Sequence, residues 1–159
     1  MKMRMPKVPE ANEHPARKAA RLSRTYYAQR RKEEWINLWS EHGEIRDPFG
    51  VSFVDPNGTG FNTPETREKW YDDHSSNIEF YYAMVASFAA GNQVANYETL
   101  ICVFNEDGMR KSFKCEGIWT YSVDEDGKLL TMYGYWDEED MNASETILTG
   151  EYDHSFFVE

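Results

Sequence analysis

Asp47 is the acid whose setting most resembles that of a reacting group. It is followed by Pro48 and stands among Ile45, Phe49, Val51 and Phe53, and apolar surroundings make a carboxylate a stronger base. The residue before a proline is pushed out of the helical region, so Asp47 is expected on extended chain. The competing reading is an Asp that caps the turn before Gly50. His74, one turn after Trp70, is a second acid/base candidate, against the commoner role of a hydrogen-bonded histidine at a helix end. The four histidines, at 14, 42, 74 and 154, form no His-x-x-x-His pair and there is no Cys-x-x-Cys, so no metal is expected even though Asp72 and Asp73 precede His74. A phosphate loop, a dinucleotide fingerprint and a nucleophile elbow are also missing from the sequence, and no cofactor is expected.

These residues need elements to hold them. Residues 1–14 read as a loose basic tail. Pro15 then opens a helix with Ala19, Leu22, Tyr26 and Tyr27 on one face. A second helical stretch is expected to carry Trp35, Ile36, Leu38 and Trp39 and to stop at His42-Gly43. Glu44 to Phe49 follows as a short extended piece, and 50–60 as a loop. Thr63-Pro64-Glu65 caps a third helix bearing Trp70, Tyr71 and His74. From Ile78 onward β-branched and aromatic residues alternate between hairpin signals at Ala90-Gly91-Asn92, Glu106-Asp107-Gly108 and 124–127. This order implies an α+β domain over 15–141, in which three helices of the N-terminal half wrap a curved antiparallel sheet enclosing a conical pocket. By alternation, Cys115, Trp119 and Tyr121 share one face of their strand, expected to be the inner one. Residues 142–159 form an extension expected to pack on the domain or on a neighbouring subunit.

Composition narrows the function classes. The chain has 159 residues, 40% hydrophobic and 28% charged, with a net charge of −11, which is ordinary material for one globular domain. Residues 1–32 hold 10 of the 17 Lys and Arg, but the strongly acidic remainder would repel phosphate, so no nucleic-acid partner is expected. No apolar run approaches the roughly 18 residues of a membrane helix, and the opening lacks the apolar stretch of a signal peptide, so a cytoplasmic protein without a membrane partner is expected. Pairing strands around 106–108 does not set Cys102 opposite Cys115, which argues against a disulfide. The aromatic share of 15% supplies rings for a core and for a pocket that takes flat apolar ligands.

Ile45-Arg46-Asp47-Pro48-Phe49-Gly50, preceded by two helices and followed by a helix and a four-stranded meander, resembles the ketosteroid isomerase and SnoaL-like members of the nuclear transport factor 2-like superfamily. The block Val123-Asp124-Glu125-Asp126-Gly127-Lys128-Leu129, with Met132, Tyr135 and Trp136, is similar to the last hairpin of bacterial steroid isomerases. The resemblance implies an α+β barrel fold and a homodimer or higher homo-oligomer. In the family an aspartate moves a proton between two carbons while a tyrosine and a protonated aspartate hold the enolate oxygen. It therefore implies Asp47 as general base and a tyrosine of the first helix, Tyr26 or Tyr27, as oxygen donor, with Trp119 standing where the second aspartate belongs. Trp136 matches a pocket aromatic, and Phe49, Trp39 and Tyr121 complete the expected lining. The expected activity is acid/base catalysis without a cofactor on a hydrophobic polycyclic or aromatic small molecule, like steroid Δ-isomerisation. A lyase or dehydratase acting on a hydroxylated aromatic substrate, with His74 or a tyrosine assisting the leaving group, and a non-catalytic binding or assembly module are the alternatives.

Overall fold

The computed structural model describes residues 12–151; the basic tail through residue 11 and the stretch from Tyr152 onward lie outside the described residues. Helix α1 spans Pro15–Ala28, with Pro15 in its first turn and the His14 ring accepting from the Ala16 N–H. Its buried face is Ala16, Ala19, Ala20, Ser23 and Arg24. The three alanines bring the helix backbone close to the sheet, and the long Arg24 side chain reaches beneath it. Helix α2 (Lys32–Asn37) is short and packs Trp35 against α1, where its indole N–H donates to Ser23 Oγ at 3.2 Å. Helix α3 (Pro64–Ser75) begins with a capping box between Thr63 and Thr66.

The strands are β1 (Trp39–Arg46), β2 (Ile78–Ala90), β3 (Gln93–Glu106), β4 (Met109–Val123), β5 (Leu129–Tyr135) and β6 (Thr146–Ile147). They form one curved, unclosed sheet in the order β1-β5-β4-β3-β2, with β6 beside β4. Strands β2 to β5 are a meander of hairpins, and Asp107 and Gly108 both take the positive φ that the tight β3–β4 turn requires. Strand β1 joins the far edge by pairing parallel with β5. Helix α4 (Glu138–Ala143) follows the meander, and β6 then returns to β4 by pairing Ile147 with Lys111.

Two expectations from sequence fail locally. Trp39 does not end the second helix but begins β1, and His42-Gly43 is not a helix stop but lies within that strand. Gly43 is where the strand is irregular: a Cβ there would come within 2.6 Å of the Trp39 ring, and the β1–β5 register shifts between Trp39 and Glu44. The buried Arg67 of α3 closes the irregularity by donating to the carbonyls of Gly43 and Ser40 and lying over Trp39. The C-terminal stretch, which carries no clear period, contains α4 and β6. One core fills the concave side, with Trp35, Ile45, Trp119, Tyr121, Leu129 and Met132 almost fully buried.

Cys102 and Cys115 are free, Cys115 standing opposite Leu100 and Cys102 opposite Phe113. Burial pushes the Cys102 thiol up to about 12 and raises that of Cys115 as well. Since only the thiolate reacts, both thiols are expected to react with an aromatic disulfide reagent at pH 8 at least about 100-fold more slowly in the folded protein than in urea; equal rates would contradict the placement. Replacing Arg67 with Met leaves two strand carbonyls without their donor and is expected to cost about 2 kcal/mol in urea unfolding.

Candidate functional site

Strand β1 delivers Asp47 to the concave side. Inward and outward positions alternate along it, so that Ile45 is buried while Glu44 and Arg46 face outward, where Arg46 bonds Glu44 at 2.9 Å. Asp47 follows in phase with Ile45 and is 9% exposed. The Asp47–Pro48 peptide is cis, and the next residue is anchored by the Phe49 N–H donating to the Gly134 carbonyl at 2.7 Å. The loop beyond is tied by the buried Asp55, which accepts from the N–H groups of Thr59 and Gly60.

The carboxylate is held by indoles. Trp119 Nε1 donates to Asp47 Oδ1 at 3.0 Å and Trp136 Nε1 donates to the same oxygen at 2.5 Å. No described residue donates to Oδ2. Trp119 stands opposite Gly134 in the β4–β5 register, and a Cβ on Gly134 would collide with Asp47 Oδ1 and lie 2.7 Å from Trp119 Nε1. A residue without a side chain at this point is what lets the carboxylate and the indole meet over β5.

Beneath Trp119 lies a second group of polar side chains that sequence reasoning did not single out. Arg24 Nε donates to Glu98 Oε2 at 2.8 Å, the pair being 5% and 0% exposed at the side chain. Asn96 Nδ2 donates to the other oxygen, Glu98 Oε1, at 3.1 Å. The guanidinium carbon of Arg24 lies 4.9 Å from the Trp119 ring centre and 5.9 Å from that of Tyr121. Burial opposes the Arg24 charge, but Glu98, Tyr121 and Asp47 around it hold its pKa above the usual arginine range. Burial also pushes the Glu98 carboxyl up. A signal for both residues is present in the sequence: Arg24 continues the Ala16, Ala19, Ala20 spacing of α1, and Glu98 alternates with Val94, Asn96, Leu100 and Cys102 on the inner face of β3. Opposite charges on two inward faces are the mark of a buried pair.

The other expected site residues fall in several places. Of the two tyrosines, Tyr27 turns inward, packing on Trp70, Tyr71 and Phe80 with ring centres 5.1 to 5.8 Å away. Its phenol is pushed well above the usual tyrosine range by burial first, then by Cys102 and Asp47. Tyr26 instead lies under the Arg31 guanidinium at 4.4 Å. Tyr121 is fully buried beside Arg24. His74 directs Nδ1 to the Trp70 carbonyl of its own helix at 2.6 Å and stacks on that indole. Trp39 packs on Trp35 and Arg67 at the start of β1, one strand length from Asp47. Phe49 is 47% exposed, stacks on Tyr135 and meets Tyr133 edge to face, while Val51 and Phe53 are also exposed. Of the apolar neighbours of Asp47 in sequence, Ile45 is therefore buried on its side of the strand while Phe49, Val51 and Phe53 do not enclose it, and the rest of the enclosure comes from Trp119 of β4 and from Trp136. Among the described residues no three His, Cys, Asp or Glu side chains come together as a metal site.

The site thus brings together Asp47, Trp119, Trp136, Tyr121 and, across the aromatic core, Tyr27. An oriented carboxylate with one anchored and one free oxygen can accept a proton, and a neutral phenol can donate a hydrogen bond. Substituting Gly134 with Ala is expected to displace Asp47 from the Trp119 indole, changing the tryptophan emission spectrum and costing about 1–3 kcal/mol while the circular dichroism of the sheet is retained. An unchanged emission spectrum would mean that the carboxylate and the indole do not meet.

No family model and no curated protein matches the sequence. Solved structures do. The Δ5-3-ketosteroid isomerase of Mycobacterium sp. is 22% identical, covering 86% of this chain and 100% of its own, with a TM-score of 0.72. Rv0760c of Mycobacterium tuberculosis, in complex with estradiol-17β-hemisuccinate, is 24% identical over 84% of this chain and 99% of its own, with a TM-score of 0.70. A putative SnoaL-like polyketide cyclase from Shewanella denitrificans is 11% identical over 80% and 93%, with a TM-score of 0.67. At these identities the likeness is one of fold, and the chain has the fold shared by these proteins and by a nuclear transport factor 2-like protein of Burkholderia xenovorans.

Proposed function

We propose that the protein is an acid/base enzyme without a cofactor that acts on an apolar polycyclic or aromatic small molecule, with Asp47 as the general base. The observation that carries this reading is the asymmetry of the Asp47 carboxylate: Oδ1 takes two indole N–H groups, whereas Oδ2 takes none among the described residues. An anchored carboxylate loses little orientational freedom when a substrate arrives, and its free oxygen is where a proton would be taken. The steroid isomerase and the steroid-bound protein among the structural neighbours support a polycyclic substrate.

In this reading Asp47 removes a proton from a carbon next to a carbonyl. Electron density moves onto the carbonyl oxygen, and the protonated Asp47 then returns the proton to a second carbon, so an isomer of unchanged mass results. Tyr27, kept neutral by burial, is the candidate donor to that oxygen. Trp119 takes a different part from the one its alignment with an acidic donor implies. Its single N–H is engaged by Asp47, so it acts as a positioning residue for the base. His74 is bonded to its own helix, which weakens the lyase or dehydratase reading in which it assists a leaving group. A binding module without turnover remains the reading of a different class.

The test is turnover of a 3-keto-Δ5-steroid, followed by the ultraviolet absorbance of the conjugated enone and by product mass. Asp47→Asn is expected to keep the fold and lose about 10² to 10⁴ in rate, the usual contribution of a positioned acid/base group. A folded Asp47→Asn protein with the wild-type rate removes Asp47 from the mechanism, and a product of lower mass replaces isomerisation with cleavage.

A further inference from the structure

Stability alone does not account for the Arg24–Glu98 pair. Its side chains are 5% and 0% exposed, and a buried ion pair adds little over apolar residues that fill the same volume, because each ion gives up its water. The contacts of the pair point to another role. Both oxygens of the Glu98 carboxylate are taken, Oε2 by Arg24 Nε at 2.8 Å and Oε1 by Asn96 Nδ2 at 3.1 Å. The guanidinium on α1 is thereby tied to β3. It also lies over the Trp119 ring, 4.9 Å from its centre.

Trp119 is a side chain whose orientation matters. It is fully buried, and its one N–H donates to Asp47 Oδ1 at 3.0 Å. The torsion that turns an indole about its stem has broad minima, so the strand by itself does not fix the plane of the ring or the aim of Nε1. Two neighbours do. Gly134 of β5 leaves the space in which the indole edge meets the carboxylate, since a Cβ there would lie 2.7 Å from Nε1. Arg24 holds the ring: a cation is drawn to the electron-rich face of an aromatic ring, most strongly to that of tryptophan and more so away from water. Asn96, which stands opposite Trp119 in the β3–β4 register, completes the support by holding Glu98.

We infer that Arg24 is a positioning residue for the candidate base: held by Glu98, it fixes the Trp119 indole and, through that indole, the Asp47 carboxylate. The line of contacts runs from β3 to α1 to β4 and ends at the residue that follows β1. This deepens the proposed function and rests on it for the use made of Asp47, whereas the seating of the indole is independent of any reaction. In that reading Asp47 alone exchanges a proton with the substrate. Loss of Arg24 therefore acts on kcat and leaves KM in place.

The test reads the indole first and the rate second. Arg24→Met combined with Glu98→Gln removes both charges at once, and the new amide oxygen can still accept from Asn96. Indole N–H signals are followed by nitrogen–proton NMR, Trp119 being identified by the signal lost in Trp119→Phe. An amide is a weaker acceptor than a carboxylate, so Asp47→Asn is expected to move the Trp119 signal upfield. The paired variant is expected to keep the circular dichroism of the wild type and to move that signal in the same direction. A folded paired variant whose Trp119 signal stays at the wild-type position overturns the inference. Should the paired variant not fold, Arg24→Lys keeps a charge beside Glu98 but lacks the planar guanidinium; the same shift is expected of it, and a wild-type signal overturns the inference equally. In turnover of a 3-keto-Δ5-steroid the paired variant is expected to lose about 10-fold in kcat at unchanged KM, as slight misplacement of a reacting group does. On an Asp47→Asn background it is expected to cost nothing more, and a further loss there overturns the route through Asp47. A wild type that turns over no steroid defeats the proposed reaction, while the Trp119 signal still decides the role of Arg24.

Discussion

A charged pair taken out of water must be matched closely, because the cost of desolvating each ion is recovered only if both find partners in fixed positions. Arg24 and Glu98 meet that demand across the concave face, tying helix α1 to strand β3. Much of the site hangs from this pair. The guanidinium is the surface on which the Trp119 indole rests, the indole edge is what holds Asp47, and Asn96 is oriented by the carboxylate that Arg24 neutralises. Replacing the pair with apolar residues of the same volume would leave a well-packed interior and an Asn96 without the carboxylate that its amide meets. The pair therefore shapes the polar content of the site rather than adding simply to its stability.

The donors around Asp47 hold its carboxylate without offering it a proton. An indole offers a single N–H and no titratable proton, so two of them can fix a carboxylate while leaving the exchange of protons to it alone. Where the resemblance to steroid isomerases implies an acidic donor for the substrate, this chain has Trp119, whose N–H is turned on Asp47, a change of side chain that the fold accommodates while keeping its sheet.

Much of the architecture was legible because it rests on local chemistry. Pro15 and the Thr63-Pro64 cap mark helix starts in a few residues, Asp107-Gly108 marks a hairpin, and alternation on β4 puts Cys115, Trp119 and Tyr121 together inside. What was not legible depends on partners distant in the chain. Trp39 to Gly43 reads as the end of a helix until Arg67 and β5 are there to hold it as an irregular strand. Phe49, Val51 and Phe53 look like a wall around Asp47, yet the chain turns away after Pro48 and leaves them outside. Arg24 is hidden in the run of positive charge over residues 1–32, although its spacing matches the buried alanines of α1.

The arrangement of β1 has a consequence for how the protein acquires its site. Strands β2 to β5 are joined by short turns, so their pairing can proceed from neighbours in sequence, whereas β1 must find β5 across the length of the meander. The two bonds that define the Asp47 carboxylate span 72 and 89 residues, and contacts of such separation come late because the chain between them has to be ordered first. A meander that has formed without β1 would present an unoccupied edge on β5 and two indoles with nothing to hold. The candidate base is thus also the clasp of the fold, and a chain arrested one step short of the native state would have a nearly complete sheet and an unassembled candidate site.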